Sequence, residues 1–230
     1  YLANRAATST RVGARASGAL AANLSPLRLV NRPDPRPPGE GWGRVRPILS
    51  GICGSDLGLL TGRNSFYLSA LISMPFTPGH EVVGELLDDL PGLSRGTRVV
   101  LDPVLSCAAR GVDPCAACAA DDHNRCNQIT AGRVSAGMQT GYCADTGGGW
   151  SRMLVAHVSQ LHSVPDTLDD PAAVMVEPLA CAITYSAAMS SSDSVAERPR
   201  LRRTGFPARP SSERSGKFCM FLAPTWSTSA

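Results

Sequence analysis

The chain has 230 residues, a formal net charge of +3 and 43% hydrophobic residues. This is the composition of a globular protein with material for a real core, and the charge is too small to argue for a nucleic-acid partner. No apolar run approaches the ~20 residues needed to cross a bilayer, so no membrane role is expected.

Residues 1–33 hold five arginines and no acidic residue, a balance shared with organelle transit peptides. Leu27, Leu29 and Val30 nevertheless predict a first strand, ahead of the turn imposed by Pro33, Pro35, Pro37 and Pro38. Residues 1–26 are expected to be a partly disordered extension. Short apolar runs broken by Gly, Pro and Asp then predict strands over 45–49, 81–87, 98–101 and 153–158. Such frequent turn residues point to a mainly β fold with short helices, barrel-like rather than alternating strand and helix. Over 169–189 the pattern becomes helical, with Asp169 or Asp170 as cap and Pro171 in the first turn.

Beyond Met189 the character changes. Within 190–217, six arginines and one lysine face only Asp193, Glu197 and Glu213, and Ser and Pro fill much of the rest. Residues 188–230 are expected to be a disordered tail, including the short apolar patch of Phe218, Met220, Phe221 and Leu222. Positive charge without interleaved aromatics does not make a nucleic-acid site.

The chemistry sits in two groups of residues. Gly51-Ile52-Cys53-Gly54-Ser55-Asp56 is followed by Pro78-Gly79-His80-Glu81. A catalytic zinc takes three ligands from Cys, His and carboxylate and keeps one position open. Cys53 offers a thiolate and His80 an imidazole, with Asp56 or Glu81 able to orient the ring. Glu177, set between apolar neighbours at a helix start, is a candidate third ligand; a first-turn glutamate favoured by the helix dipole is the plainer alternative.

The second group is Cys107, Cys115, Cys118 and Cys126, spaced C-x7-C-x2-C-x7-C. The C-x2-C pair lets two sulfurs grip one tetrahedral ion, and four thiolates leave no open position, so the role would be structural. The long first spacer adds only about 1 kcal/mol of loop closure, against a structural zinc worth on the order of 10 kcal/mol. His123 could take the place of Cys107. No secretory signal is visible, so clustered cysteines read as metal binding in a reducing, cytoplasmic setting rather than as disulfides.

These residues, in this order, resemble the zinc-dependent medium-chain alcohol dehydrogenases, in their polyol and threonine dehydrogenase-like branch. The resemblance rests on Gly51–Asp56, Gly79-His80-Glu81, the cysteine loop with Asn124, Gly147-Gly148-Gly149-Trp150 and Glu177-Pro178-Leu179, and it spans residues 27–187. It implies a GroES-like β-barrel catalytic domain with a zinc lobe near 103–130. It implies Cys53, His80 and Glu177 (or Glu81) around a catalytic zinc, and a structural zinc on the four cysteines. Ser55 matches the hydroxyl that passes the substrate proton. The implied reaction oxidises a small alcohol or polyol, with hydride passing to NAD(P), in a family that is oligomeric. Trp150 and Phe66 are possible pocket walls, with core packing as the alternative.

Gly58, Arg152 and Asp121 depart from the family pattern, where a relay histidine, an acid and a glycine are usual. The largest departure is the absence of any Gly-x-Gly-x-x-Gly turn for the nucleotide. The segment after Met189 reads as out-of-frame translation of a GC-rich gene would. The expectation is therefore a truncated catalytic domain, inactive alone and poorly soluble, or a zinc-binding module without enzymatic activity.

Overall fold

The computed structural model describes residues 27–60, 70–190 and 220–222. Six strands and five α-helices are assigned there, most of them short. The strands are β1 (Trp42–Ile52), β2 (Val82–Leu86), β3 (Arg98–Leu101), β4 (Leu154–His157), β5 (Leu161–Ser163) and β6 (Met220–Leu222). The helices are α1 (Gly54–Leu60), α2 (Cys107–Arg110), α3 (Ala116–Ala119), α4 (Asp170–Ala173) and α5 (Val176–Ser190).

The strands form one antiparallel sheet in the order β4-β1-β2-β3-β5, with β6 added on β1. β4 and β5 stand at opposite ends of this order, yet only the 3-10 turn Val158–Gln160 separates them in the chain. The sheet must therefore curl until its two ends meet, which gives the mainly β, barrel-like fold.

Side chains alternate faces along each strand. Val82, Leu86, Val99, Leu101, Leu154 and Ala156 join one core with Val45 and Leu161. Val83 and Val100 join a second core with Val164, Ala173 and Val174, and Val155 joins a third with Trp42, Leu105, Ala109, Val134 and Cys143. Both faces of these strands are covered, so the sequence reads as continuous apolar runs instead of clean alternation.

β1 extends beyond the predicted 45–49 at both ends. Pro47 has no N–H to give, and the register slips between Pro47 and Leu49, so a bulge carries the strand past it. β3 matches its predicted bounds, and β2 and β4 are each one residue shorter at both ends. Asp169 is the helix cap, its Oδ1 accepting the Ala172 N–H at 2.9 Å, with Pro171 in the first turn of α4. Arg98 bonds Asp170 and the carbonyls of Pro165 and Leu168, tying β3 to the start of the segment that carries α5.

Two expectations fail. The strand predicted from Leu27, Leu29 and Val30 does not form: residues 27–38 are irregular and Leu29 is 99% exposed. No described strand forms a ladder with that segment, and the prolines that follow cannot donate to one. Within the expected tail, Met220–Leu222 is strand, pairing with Ile52, Gly51 and Ser50 at the edge of β1 beyond β4; residues 191–219 and 223–230 of that tail lie outside the described residues. Phe66 lies outside the described residues. Among the described residues no helix is long and apolar enough to cross a membrane.

Burial separates two leucines cleanly. Leu154→Ala, at 0% exposure in the barrel core, is expected to lose about 2–5 kcal/mol, and Leu29→Ala less than about 0.5 kcal/mol. Urea unfolding followed by circular dichroism checks both; a large loss at Leu29 would contradict the irregular, exposed segment.

Candidate metal centres and family

β1 delivers its last residue, Ile52, into a tight turn. The Asp56 N–H bonds the Cys53 carbonyl at 3.0 Å, and Asp56 Oδ2 accepts the Cys53 N–H at 2.9 Å. Cys53 is thereby fixed at the mouth of α1. His80 and Glu81 arrive on the turn that enters β2, and the Gly51 N–H bonds the Glu81 carbonyl at 2.8 Å. One ligand atom each from Cys53, His80 and Glu81 lies within 4.8 Å of the others.

Glycines make this approach possible. Gly79 has φ +98°, and a Cβ there would stand 2.8 Å from Trp150 N and 2.9 Å from Gly149 N. The Gly147–Trp150 turn presses its backbone against that site: Gly149 N–H bonds the Gly79 carbonyl at 2.8 Å, and Trp150 N–H bonds the Pro78 carbonyl at 3.0 Å. A Cβ on Gly51 would collide with the Glu81 carboxylate. The half-buried Trp150 indole bonds the Gly51 carbonyl at 3.4 Å, so this side chain braces β1.

The electrostatics suit a cation. His80 and Asp56 are both buried, with His80 Nδ1 3.9 Å from Asp56 Oδ1, too far for a hydrogen bond. Neither atom has a hydrogen-bond partner. Contact with His80 lowers the Cys53 thiol below its ordinary range, against the effect of burial, and the Ser55 backbone and hydroxyl add to the lowering. Burial opposes charge on His80, but Cys53, Asp56 and Glu177 outweigh it and raise the imidazole. Burial raises both Asp56 and Glu81, with His80 opposing and Glu177 adding to the rise. A buried cluster of thiol, imidazole and carboxylates with unmatched polar atoms is what a divalent cation would resolve.

Glu177, in the first turn of α5, is near enough to act on Asp56, His80 and Glu81 but stands outside the close triad. Its Oε1 accepts the Cys181 thiol at 3.1 Å.

The four cysteines of the second group also converge, their sulfurs all within 4.8 Å. The seven-residue spacer is used: it forms α2, which ends at Gly111 in the left-handed region at φ 63°. Cys115 caps α3 and Cys118 lies within it. The Cys115 N–H bonds Cys107 Sγ at 3.3 Å, and Cys107 Sγ stands 3.7 Å from Cys126 Sγ. Asp121, where the family pattern has glycine, adopts φ 61°, a conformation that aspartate tolerates better than most side chains. His123 is not among the converging ligands; its Nε2 is 3.0 Å from Asp121 Oδ1. The described cysteines are all free thiols. Burial raises Cys107, and raises Cys118 to about 12, while the N–H groups of Cys118 and Asn127 lower Cys115 to about 6.

Two residues of this region escaped the sequence reading. Arg110 is fully buried and donates to the carbonyls of Leu105, Ala131, Val134, Ser135 and Gly137. Gln160, also buried, bonds Asp102 O, Pro103 O and Thr140 Oγ1. Neither sits in a motif, and nothing in its sequence neighbourhood marks it.

Known proteins carry the same frame. The alcohol dehydrogenase GroES-like domain family matches residues 39–166. A sorbitol dehydrogenase of Halalkalibacterium halodurans is 29% identical over 153 residues, 65% of this chain and 38% of the relative. An uncharacterized zinc-type alcohol dehydrogenase-like protein of Haemophilus influenzae is 29% identical over 140 residues, 58% of this chain and 34% of the relative. A crystal structure of the Escherichia coli alcohol dehydrogenase RspB, complexed with NADH, superposes with a TM-score of 0.52 at 30% identity. That match covers 67% of this chain and 40% of RspB. The chain thus spans about two-fifths or less of the length of these relatives. With more than half of its residues inside the family match, this chain belongs to the alcohol dehydrogenase GroES-like domain family, among the zinc-type medium-chain dehydrogenases.

Proposed function

We propose that this chain is the zinc-binding catalytic part of an alcohol or polyol dehydrogenase, with a catalytic zinc on Cys53, His80 and Glu81 and a structural zinc on Cys107, Cys115, Cys118 and Cys126. The carrying observation is the convergence of Cys53, His80 and Glu81 within 4.8 Å, beside the unpartnered His80 and Asp56 atoms. Sulfur, nitrogen and oxygen donors in that number fit a catalytic zinc with an open position. Glu177 would be the alternative carboxylate ligand, since its charge acts on His80 and Glu81 from outside the close triad.

A zinc held there would supply Lewis acidity toward an alcohol oxygen. The chain's own groups do the rest. Asp56, 3.9 Å from His80 Nδ1 and not hydrogen-bonded to it, sets a negative charge beside the ring. Ser55, on the same turn as Cys53, would relay the proton an alcohol gives up. NAD(P) is the hydride acceptor this reading calls for. A reducing, cytoplasmic setting would keep the eight thiols available. The chain holds no Gly-x-Gly-x-x-Gly run, which favours a second reading: a zinc-binding module that does not turn over substrate by itself.

Metal analysis of the purified chain separates the sites. About two zinc ions per chain are expected; Cys53→Ser or His80→Ala should lose one and retain the fold, while Cys115→Ser should lose the other and unfold the lobe. One zinc in the wild type, unaffected by His80→Ala, would sink the catalytic-site assignment. NADH binding and zinc-dependent alcohol oxidation then decide between enzyme and module.

The cysteine loop carries a pH signature. Metal ligation needs thiolates, and Cys107 and Cys118 have thiols raised above their ordinary range, so binding must displace their protons at neutral pH. Zinc affinity should rise from pH 6 to pH 8 (roughly tenfold per pH unit for each proton displaced). Titration calorimetry in buffers of different ionisation enthalpy measures this release; a pH-independent affinity would contradict it.

A further inference from the structure

A metal-binding imidazole is ordinarily oriented by a hydrogen bond from its second ring nitrogen to a carboxylate or carbonyl. The His80 ring lacks that bond: its Nδ1 stands 3.9 Å from Asp56 Oδ1 and has no hydrogen-bond partner. What lies against the imidazole instead is the buried Tyr142, with ring centroids 6.0 Å apart and planes inclined by 50°. The half-buried Phe76 packs on Tyr142 in turn, centroids 5.1 Å apart and planes at 33°. Both separations fall in the range where rings attract one another through faces and edges.

The backbone holds Tyr142 firmly. Just before it, the Thr140 N–H bonds the Pro103 carbonyl at 2.8 Å, and Thr140 Oγ1 accepts from the buried Gln160 at 3.2 Å. Gly141 adopts φ +86°, and a Cβ there would stand 3.0 Å from the Gly79 carbonyl oxygen, so this loop lies directly on the turn that carries His80. The Tyr142 carbonyl accepts the Ser73 N–H at 3.3 Å, and Ser73 Oγ accepts the Ala144 N–H at 2.9 Å. Those two bonds tie the segment bearing Phe76 to the one bearing Tyr142. We propose that Tyr142, backed by Phe76, is the positioning residue of His80, its ring fixing the plane of the imidazole that offers nitrogen to the catalytic zinc. A ring free to turn about its Cβ–Cγ bond presents that nitrogen to a metal only part of the time; a packed ring keeps it aimed. The inference rests on the reading of Cys53, His80 and Glu81 as a zinc site.

The test uses the full chain with Tyr142→Phe and Tyr142→Leu. Zinc affinity at each site is read by competition with a chromophoric chelator, and ligand geometry by the visible d–d bands of cobalt placed in the Cys53 site. Zinc on the four cysteines and the circular dichroism spectrum report the fold. Tyr142→Phe keeps the ring and should match the wild type in affinity and band. Tyr142→Leu should bind metal at the Cys53 site about 10-fold more weakly, with a shifted band, while the cysteine loop keeps its zinc. A folded Tyr142→Leu chain with wild-type affinity and band would make Tyr142 core packing alone and overturn the inference. A Tyr142→Phe chain as impaired as Tyr142→Leu would also overturn it, since the hydroxyl and not the ring would then act. If Tyr142→Leu does not fold, Phe76→Leu decides: weaker metal binding at the Cys53 site alone supports the inference, and wild-type binding there overturns it. A wild-type chain holding zinc only on the four cysteines would instead overturn the reading beneath it.

Discussion

Gly149 N–H meets the Gly79 carbonyl at 2.8 Å, and the candidate catalytic centre depends on two backbones coming that close. A side chain at Gly79 would strike Trp150 and Gly149, and one at Gly148 would strike the Thr77 and Pro78 carbonyls. Once the turns interlock, His80 and Glu81 have no freedom to swing away from the end of β1. The Glu81 carbonyl, bonded by Gly51, locks the other side. The three ligand atoms therefore converge because backbone contacts place them. A metal would find the site largely formed, which is how a site keeps its geometry while one position changes ligand.

The two cation-shaped clusters balance charge differently. Around Cys53 the unmatched groups are carboxylates and a thiol facing an imidazole, and Asp56, Glu81 and Glu177 all bear on His80 or on one another. Around Cys107 the converging groups are thiols alone. Three mixed donors converge in the first cluster and four sulfurs in the second. That contrast between an open mixed-donor site and a sealed sulfur site is the physical difference between a catalytic and a structural metal centre.

Much of this was legible in the residues. Turn-forming residues between short apolar runs located β2, β3 and β4, and the Asp169 cap with Pro171 located α4. The spacing of the cysteines and the pairing of Cys53 with His80 named both clusters. What failed did so for physical reasons. Leu27, Leu29 and Val30 have strand propensity but no described strand forms a ladder with them, and a strand without a ladder is only an extended chain. β6 was invisible because three apolar residues become a strand only where an unpaired edge waits. Glu81, and not Glu177, lies in the close triad with Cys53 and His80, because proximity is set by the Gly51 turn, which spacing along the chain does not encode. Arg110 was hidden for the same reason, since its partners lie 5 to 27 residues away.

The central claim is that Cys53, His80 and Glu81 hold a zinc ion distinct from the one on the four cysteines. X-ray absorption at the zinc edge of the purified chain tests it most directly. The account predicts a mixed average shell, with nitrogen and oxygen neighbours near 2.0–2.1 Å beside sulfur near 2.3 Å (about these values). A shell of sulfur alone would place all bound zinc on the cysteine loop and contradict the catalytic centre.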